Sequence, residues 1–316
     1  MIRRVAGARP GRPAPTRRTG AAGVVRRVAR SEHTAGWLFV LPAAVLIGAF
    51  GILPIAWSAL LSFQQNDLLT TPKWVGADNY RALLHDPVFK DSVRRTFVYT
   101  ALFVPLSVGG ALVIATLLDA KIRFGRLYRT AVFVPVATST VATGIIFNWL
   151  LDPTYGVANY LLGKIGLGPY GFFRDPDQAM YAIVAMTVWG WIGFDVIIYL
   201  AALQGIPQEL VEAARMDGAG RWAIFRRIRW PLLSPATLFL VVWSTINALQ
   251  VFDEIYVTTR GGPLRATTVL VYYIYNQAFE LFHGGYAAAV AYVLFLFTLV
   301  FALVQLWIGN RRVHYR

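Results

Sequence analysis

The chain has 316 residues, 57% of them hydrophobic, and only 15% charged residues, with a mean hydropathy of +0.52; an ordinary soluble domain carries roughly 25% charged residues, so the balance describes a membrane protein. The net charge is +14, but the basic residues sit between apolar runs, which makes phospholipid headgroups the expected counter-charge and excludes nucleic acid. No cysteine is present, which excludes disulfides and thiolate chemistry, and the four histidines (His33, His85, His283, His314) are scattered with none in an HExxH-like pair, so no metal is expected.

Residues 1–31 hold nine arginines among Pro, Gly and Ala. Such a composition cannot bury a core, so a disordered basic arm is expected through residue 35. The apolar run that follows, Trp37 to Phe63, is too long for the apolar region of a signal peptide and has no clean small-residue cleavage site. It is expected to stay as a first span. Five further helical spans of about 20 residues are expected near 96–118, 131–151, 179–203, 233–258 and 286–309. A shorter run, Thr267 to Phe282, includes Asn276, Gln277 and Glu280 and is expected to be amphipathic or re-entrant.

The distribution of positive charge orients these spans. With the N-terminus in the cytoplasm, the inside segments hold 21 Lys and Arg and the outside segments 9, and none of the 30 falls within a span. Basic residues concentrate on the cytoplasmic side of membrane proteins. The expectation is an all-α membrane protein. It has six transmembrane helices over 36–310, a cytoplasmic tail at 311–316, and both termini cytoplasmic.

The cytoplasmic segment 204–232 lies between spans four and five. Pro207 suits a first helical position, where its missing N–H has no partner. Leu210, Ala213, Ala214 and Asp217 then recur at helical spacing, and Gly218 and Gly220 break the helix. A second short helix is expected with Trp222, Phe225 and Ile228 on one side, and Pro231 and Pro235 mark the return to the membrane. Arginines on anionic lipid would account for the second half. They would not account for Glu212, Asp217 or the small Ala213 and Ala214, which suit close approach by another protein.

The string EAARMDGAG (Glu212–Gly220), followed by F-x-x-I-x-x-P (Phe225, Ile228, Pro231), resembles the EAA loop of ABC importer permeases, in the form found in the carbohydrate-uptake branch. W-V-G-A-D-N-Y (Trp74–Tyr80), F-D-E-I-Y-V-T-T-R-G-G-P (Phe252–Pro263) and G-Y-A-A-A (Gly285–Ala289) resemble other segments of the maltose, lactose and glycerol-3-phosphate type permeases. The resemblance covers nearly everything from about residue 35 onward. It implies a type I importer permease for a mono- or oligosaccharide or a glycerol-phosphate-like polyol, forming half of the translocation path. The implied partners are a second, different permease subunit, an ABC ATPase dimer and an extracytoplasmic sugar-binding protein, besides membrane lipid. It also implies that the loop docks on the ATPase. Glu212 would meet a basic residue there, Ala213 and Ala214 would allow close packing, Gly218 would form the turn, and Asp217 would brace it. Met216, where this family suggests Ile, is a departure outside the motif's carboxylate and glycine. Gly163-Lys164 is followed by Ile and has no upstream glycine of a phosphate-binding loop. ATP is therefore expected to be used by the separate ATPase, with no cofactor and no enzymatic activity on this chain.

Polar groups within spans cost about 2.5–3.5 kcal/mol for a central Asp, so their positions are informative. Trp243, Asn247, Gln250 and Glu254 fall at helical spacing in the fifth span with Asp253 at the edge of that face. An aromatic ring beside amides and carboxylates suits a sugar; helix–helix hydrogen bonding is the alternative, and Asp253 and Glu254 also suit an interfacial place near the outer end. For Asp195, with Trp191 and Tyr199 on its face, lining the path, pairing with a partner subunit and orienting a neighbour all stand open. An ion-driven transporter would leave the cytoplasmic loop without a purpose and commonly carries internal repeats, which are not found here. An enzyme using Asp253 and Glu254 together is disfavoured because adjacent helical residues point about 100° apart.

Overall fold

The computed structural model describes residues 32–67, 70–120 and 123–312, and these are mostly helical. The arm at 1–31 and the last four residues lie outside the described residues, and so do the expectations placed on them. Two compact units divide the chain, one through Ser58 and one from Ala59.

The first unit is a helix: α1 (Glu32–Ile47), a π turn (Gly48–Ile52) and most of α2 (Leu53–Ser62). Trp37, Phe39, Phe50 and Trp57 all stand open along it. A helix apolar on every side is stable only in an apolar surrounding, here hydrocarbon.

The second unit begins with two-residue strands, β1 (Gln64–Gln65) and β2 (Lys73–Trp74), paired antiparallel with Gln64 opposite Trp74. The Trp74–Tyr80 motif holds this hairpin in place. Trp74 and Tyr80 flank the Phe63 ring at 5.8 and 5.4 Å. Asn79, on α3 (Asp78–His85), donates to the carbonyls of Ser62 and Gln64 at 2.8 and 2.9 Å. Asp86 then caps α4 (Pro87–Asp119), accepting from the Val88 N–H, with Pro87 in the first turn. At 33 residues and about 1.5 Å per residue, α4 exceeds a hydrocarbon layer of about 30 Å and extends well beyond the expected 96–118.

The next elements are α5 (Gly125–Phe133), a 3-10 turn (Val134–Ala137), α6 (Thr140–Leu150), α7 (Val157–Lys164), a 3-10 turn (Phe172–Arg174) and α8 (Ala179–Gln204). Helix α8 packs along α4. Ala111 and Ala115 are fully buried against Val196, Leu200 and Leu203, because small residues let two helix backbones approach without a hydrophobic drive from lipid. A second cluster joins Tyr99 and Phe103 of α4 to Ile183 and Met186 of α8.

The segment after α8 forms α9 (Gln208–Met216), α10 (Arg221–Ile224), a π turn (Phe225–Arg229) and α11 (Trp230–Leu232). Then come α12 (Ser234–Leu249), α13 (Asp253–Thr258), α14 (Leu270–Tyr275) with a π turn (Asn276–Glu280), and α15 (Gly284–Arg312). Among the described residues four helices, Gly36–Ser62, Pro87–Asp119, Ala179–Gln204 and Gly284–Gly309, are long and apolar enough to cross a bilayer.

Two expected spans are not straight helices. Residues 131–151 bend by 101° between the turn ending at Ala137 and α6, because Pro135 lacks an N–H and Thr138 and Ser139 are extended. Around 233, the helices Arg221–Leu232 and Ser234–Leu249 meet at 64°, with Pro231 and Pro235 on either side of the buried Leu233. Counting each bent pair as one span brings the number to six. The expected fifth span also stops early: α12 ends at Leu249, and Gln250 to Phe252 leave helical geometry before α13 begins. The 267–282 run forms a short packed helix with Leu270, Tyr272 and Tyr273 buried.

Candidate functional site

Two regions bring the sequence-predicted residues together. The first is the turn between α9 and α10. Gly218 has φ +80°, and its N–H donates to the Arg215 carbonyl at 3.0 Å while the Ala219 N–H reaches back to Ala214 at 2.9 Å. This pair of bonds, five-to-two and six-to-one, closes a helix around a left-handed residue, and glycine takes that angle without strain. An added Cβ at Gly218 would point into open space. Glu212, Ala213 and Asp217 are exposed, Ala214, Phe225, Ile228 and Pro231 are half-buried, and the inward anchors are Val211 and Ile224. Leu210, at helical spacing with Ala213, is exposed as well. Trp222 stacks on Phe225 at 5.7 Å. The sequence reading missed Asp119, at the end of α4, which pairs with Arg229 at 3.1 Å with both side chains mostly covered. No local pattern marks that pair, since the partners lie on separate elements.

The second region is a cavity of about 170 Å³ between α4, α8 and α12. Trp243, Asn247, Gln250, Asp253, Glu254 and Asp195 all line it. They converge by a different route from the expected one. A continuous helix would have stacked Gln250 and Glu254 on the face of Trp243; instead the break after Leu249 swings them round. Asn247 donates to the Trp243 carbonyl at 2.8 Å, and Trp243 lies between Phe194 at 5.9 Å and Phe239 at 6.2 Å. Glu254 is buried rather than interfacial, and Asp253 is exposed. Asp195 is buried and accepts from the Ser107 hydroxyl at 2.5 Å, a partner on α4 that spacing along α8 could not reveal. Tyr199 departs from the expectation. It is fully buried one turn beyond Asp195, donates to Thr237 at 3.1 Å and lies outside the cavity lining. No group of His, Asp or Glu that could hold a metal occurs among the described residues.

At the far end of the bundle from the α9–α10 turn, Asp86 accepts from the hydroxyls of Tyr273 and of Tyr286, the latter at 2.6 Å. Burial works to raise its carboxyl, but these two hydroxyls and the N–H groups of Val88 and Phe89 outweigh it and hold the group below the usual carboxylate range. The motif ending at Pro263 closes on itself nearby. Thr267 donates to Gly262 at 2.8 Å, Thr268 to Gly261 at 3.0 Å, and Arg95 of α4 to the Ala266 carbonyl at 2.6 Å.

Residues 107–314 match the family of binding-protein-dependent transport system inner membrane components. The chain is 39% identical to a Pyrococcus horikoshii protein named a probable ABC transporter permease, over 85% of this chain and 94% of that one. It is 38% identical to the lactose transport system permease protein LacF of Rhizobium radiobacter, over 88% and 94%. Its fold is similar to a crystallised bacterial ABC transporter involved in import of the acidic polysaccharide alginate, with a TM-score of 0.78 and 25% identity, covering 92% of this chain and 99% of that one.

Proposed function

The chain belongs to the family of binding-protein-dependent transport system inner membrane components, the permease subunits of ABC importers, and we propose that it forms half of the path for a sugar and couples it to ATP hydrolysis on another subunit. In this reading it crosses a bacterial inner membrane six times, each bent pair counting once, with both termini cytoplasmic. The α9–α10 segment is the cytoplasmic docking element. A second permease subunit supplies the other half of the path, an ATPase dimer receives the docking element, and an extracytoplasmic binding protein delivers the sugar.

The observation that carries this reading is the exposed turn at Gly218, flanked by Glu212 and Ala213 and tied through Arg229 to the end of α4. A knob with a small, open apex and a carboxylate beside it fits a cleft on another protein, and the ion pair ties it to a helix that lines the cavity. The sugar would occupy that cavity, its hydroxyls bonding to Asn247, Gln250 and the carboxyl groups and its C–H face resting on Trp243. Reconstitution with the ATPase, the second permease and the binding protein tests the reading. Labelled sugar is expected to accumulate only when ATP and all three of these partners are present. Accumulation driven by an ion gradient without the ATPase would overturn it.

A further inference from the structure

The charge of the cavity bears on which saccharides can pass. Its lining includes three acidic side chains, Asp195, Asp253 and Glu254, and no Lys, Arg or His. None of the ion pairs Arg81–Asp78, Arg94–Asp91, Arg174–Asp152 and Arg229–Asp119 involves these carboxyl groups, and among the residues that line the cavity there is no cation to face them. Asp195 and Glu254 are more than nine-tenths buried, and Asp253, which also lines the cavity, is exposed.

We propose that this cavity selects neutral or cationic saccharides and rejects anionic ones such as uronates and sugar phosphates. The inference rests on the cavity being the sugar path and adds the charge class of what it accepts. Two features of the wall act against an anion: acids that repel it as carboxylates, and the absence of any cation in the lining in either protonation state. As carboxylates they accept strong hydrogen bonds from sugar hydroxyls, attract an ammonium and repel an anion. As neutral acids they donate a single proton to a hydroxyl and still supply no positive charge. A buried anion needs a paired cation to offset its lost hydration, and this wall has none. Trp243, Asn247 and Gln250 can serve the ring face and hydroxyls of any of the three classes, so the discrimination falls on the acids.

The test uses the complete transporter in lipid nanodiscs and three ligands that share a ring: glucose, glucosamine and glucuronate. Binding is followed by tryptophan fluorescence, with Trp243→Phe identifying the part of the signal that arises in the cavity. Glucosamine is expected to bind at least as tightly as glucose, and glucuronate about tenfold or more weakly, the scale of one unscreened charge contact. Asp253→Asn, at an exposed position, and Glu254→Gln are each expected to narrow that gap. Glucuronate binding as tightly as glucose in the unaltered protein would overturn the proposal, as would a gap that both variants leave unchanged. If none of the three ligands moves the Trp243 signal, the cavity is not the sugar path and the proposal falls with that reading. The outcomes therefore separate a failure of charge selection from a failure of the site.

Discussion

Asp119, the last residue of α4, holds Arg229 at 3.1 Å across the gap between a membrane-spanning helix and the segment between α8 and α12. Of the described ion pairs it is the one that joins a spanning helix to the proposed docking element, and both partners are largely covered. A force applied to α10 therefore reaches α4, whose buried face also holds Ser107 against Asp195. A largely covered pair contributes more than the about 0.2–1 kcal/mol of an exposed one, so the double exchange, which restores the pair, separates lost coupling from lost stability. Asp119→Arg and Arg229→Asp are each expected to lower sugar transported per ATP hydrolysed while the complex still assembles. The double exchange should restore roughly half or more of the loss, as for partners that act on each other directly. Transport and ATPase rates measured together on one reconstituted sample check this; unchanged stoichiometry in both single variants would refute it.

The apex of the docking element gives a second expectation. Gly218→Asp places a charged side chain in the open space where the proposed partner approaches, and it adds left-handed strain of about 1 kcal/mol. Gly218→Asn carries similar bulk without the charge and tolerates that backbone angle better. Both variants are expected to insert in the membrane at normal levels. Gly218→Asp should lose ATP-coupled uptake, and Glu212→Lys should do the same by reversing an exposed charge. Wild-type uptake by Gly218→Asp or Glu212→Lys would remove the docking role.

Much of this layout is legible in the residues, and the parts that are not share a cause. Run length and hydropathy mark the four unbroken spans, and the Gly218 turn follows from a glycine placed after a small-residue helix. The break after Leu249 is hidden because Trp243, Asn247, Gln250 and Glu254 keep helical spacing whether or not the helix continues. The cavity collects the same residues by bending. Proline positions warn of the bends near 135 and 233 but carry no angle. Asp119 with Arg229 and Ser107 with Asp195 are tertiary pairs, invisible to any pattern within one element. Asn79, by contrast, sits in a motif that resembles the family's, and its structural task of pinning Ser62 and Gln64 emerges only from the contacts.

Acid stability should depend on Asp152, which follows α6. Its carboxylate is buried and accepts from the Thr154 hydroxyl at 2.6 Å, and it pairs with Arg174 at 2.5 Å. The Thr154 hydroxyl leads the groups that bring it down from 3.8 to about 2. The N–H groups of Thr154 and Tyr155 and the Arg174 charge assist, against the opposing effect of burial. A group depressed on folding contributes stability that is complete above its unfolded value and is lost as pH falls toward the folded one. The loss is thus expected between about pH 4 and pH 2. Thermal unfolding of the detergent-solubilised protein across that range should show a steeper fall for the unaltered chain than for Asp152→Asn. Parallel curves would count against it.

The start of α15 supplies the last expectation. The Gly285 N–H donates to the Asn66 carbonyl at 3.1 Å, and a Cβ added at Gly285 would lie 1.9 Å from the Gln64 carbonyl oxygen. That neighbour is backbone, held in place by Asn79 and by pairing with β2, so it cannot swing aside as a flexible side chain would. Gly285→Ala must therefore push α15 away from β1, an overpacking cost of about 1–3 kcal/mol. Gly109 in α4 has nothing within 4 Å of its would-be Cβ, so Gly109→Ala should be neutral or stabilising by up to about 1 kcal/mol through helix propensity. Thermal unfolding of the two variants side by side decides the matter. Gly285→Ala should melt earlier than the unaltered protein and Gly109→Ala should not, and the reverse order would show that contact with β1 does not position the last span.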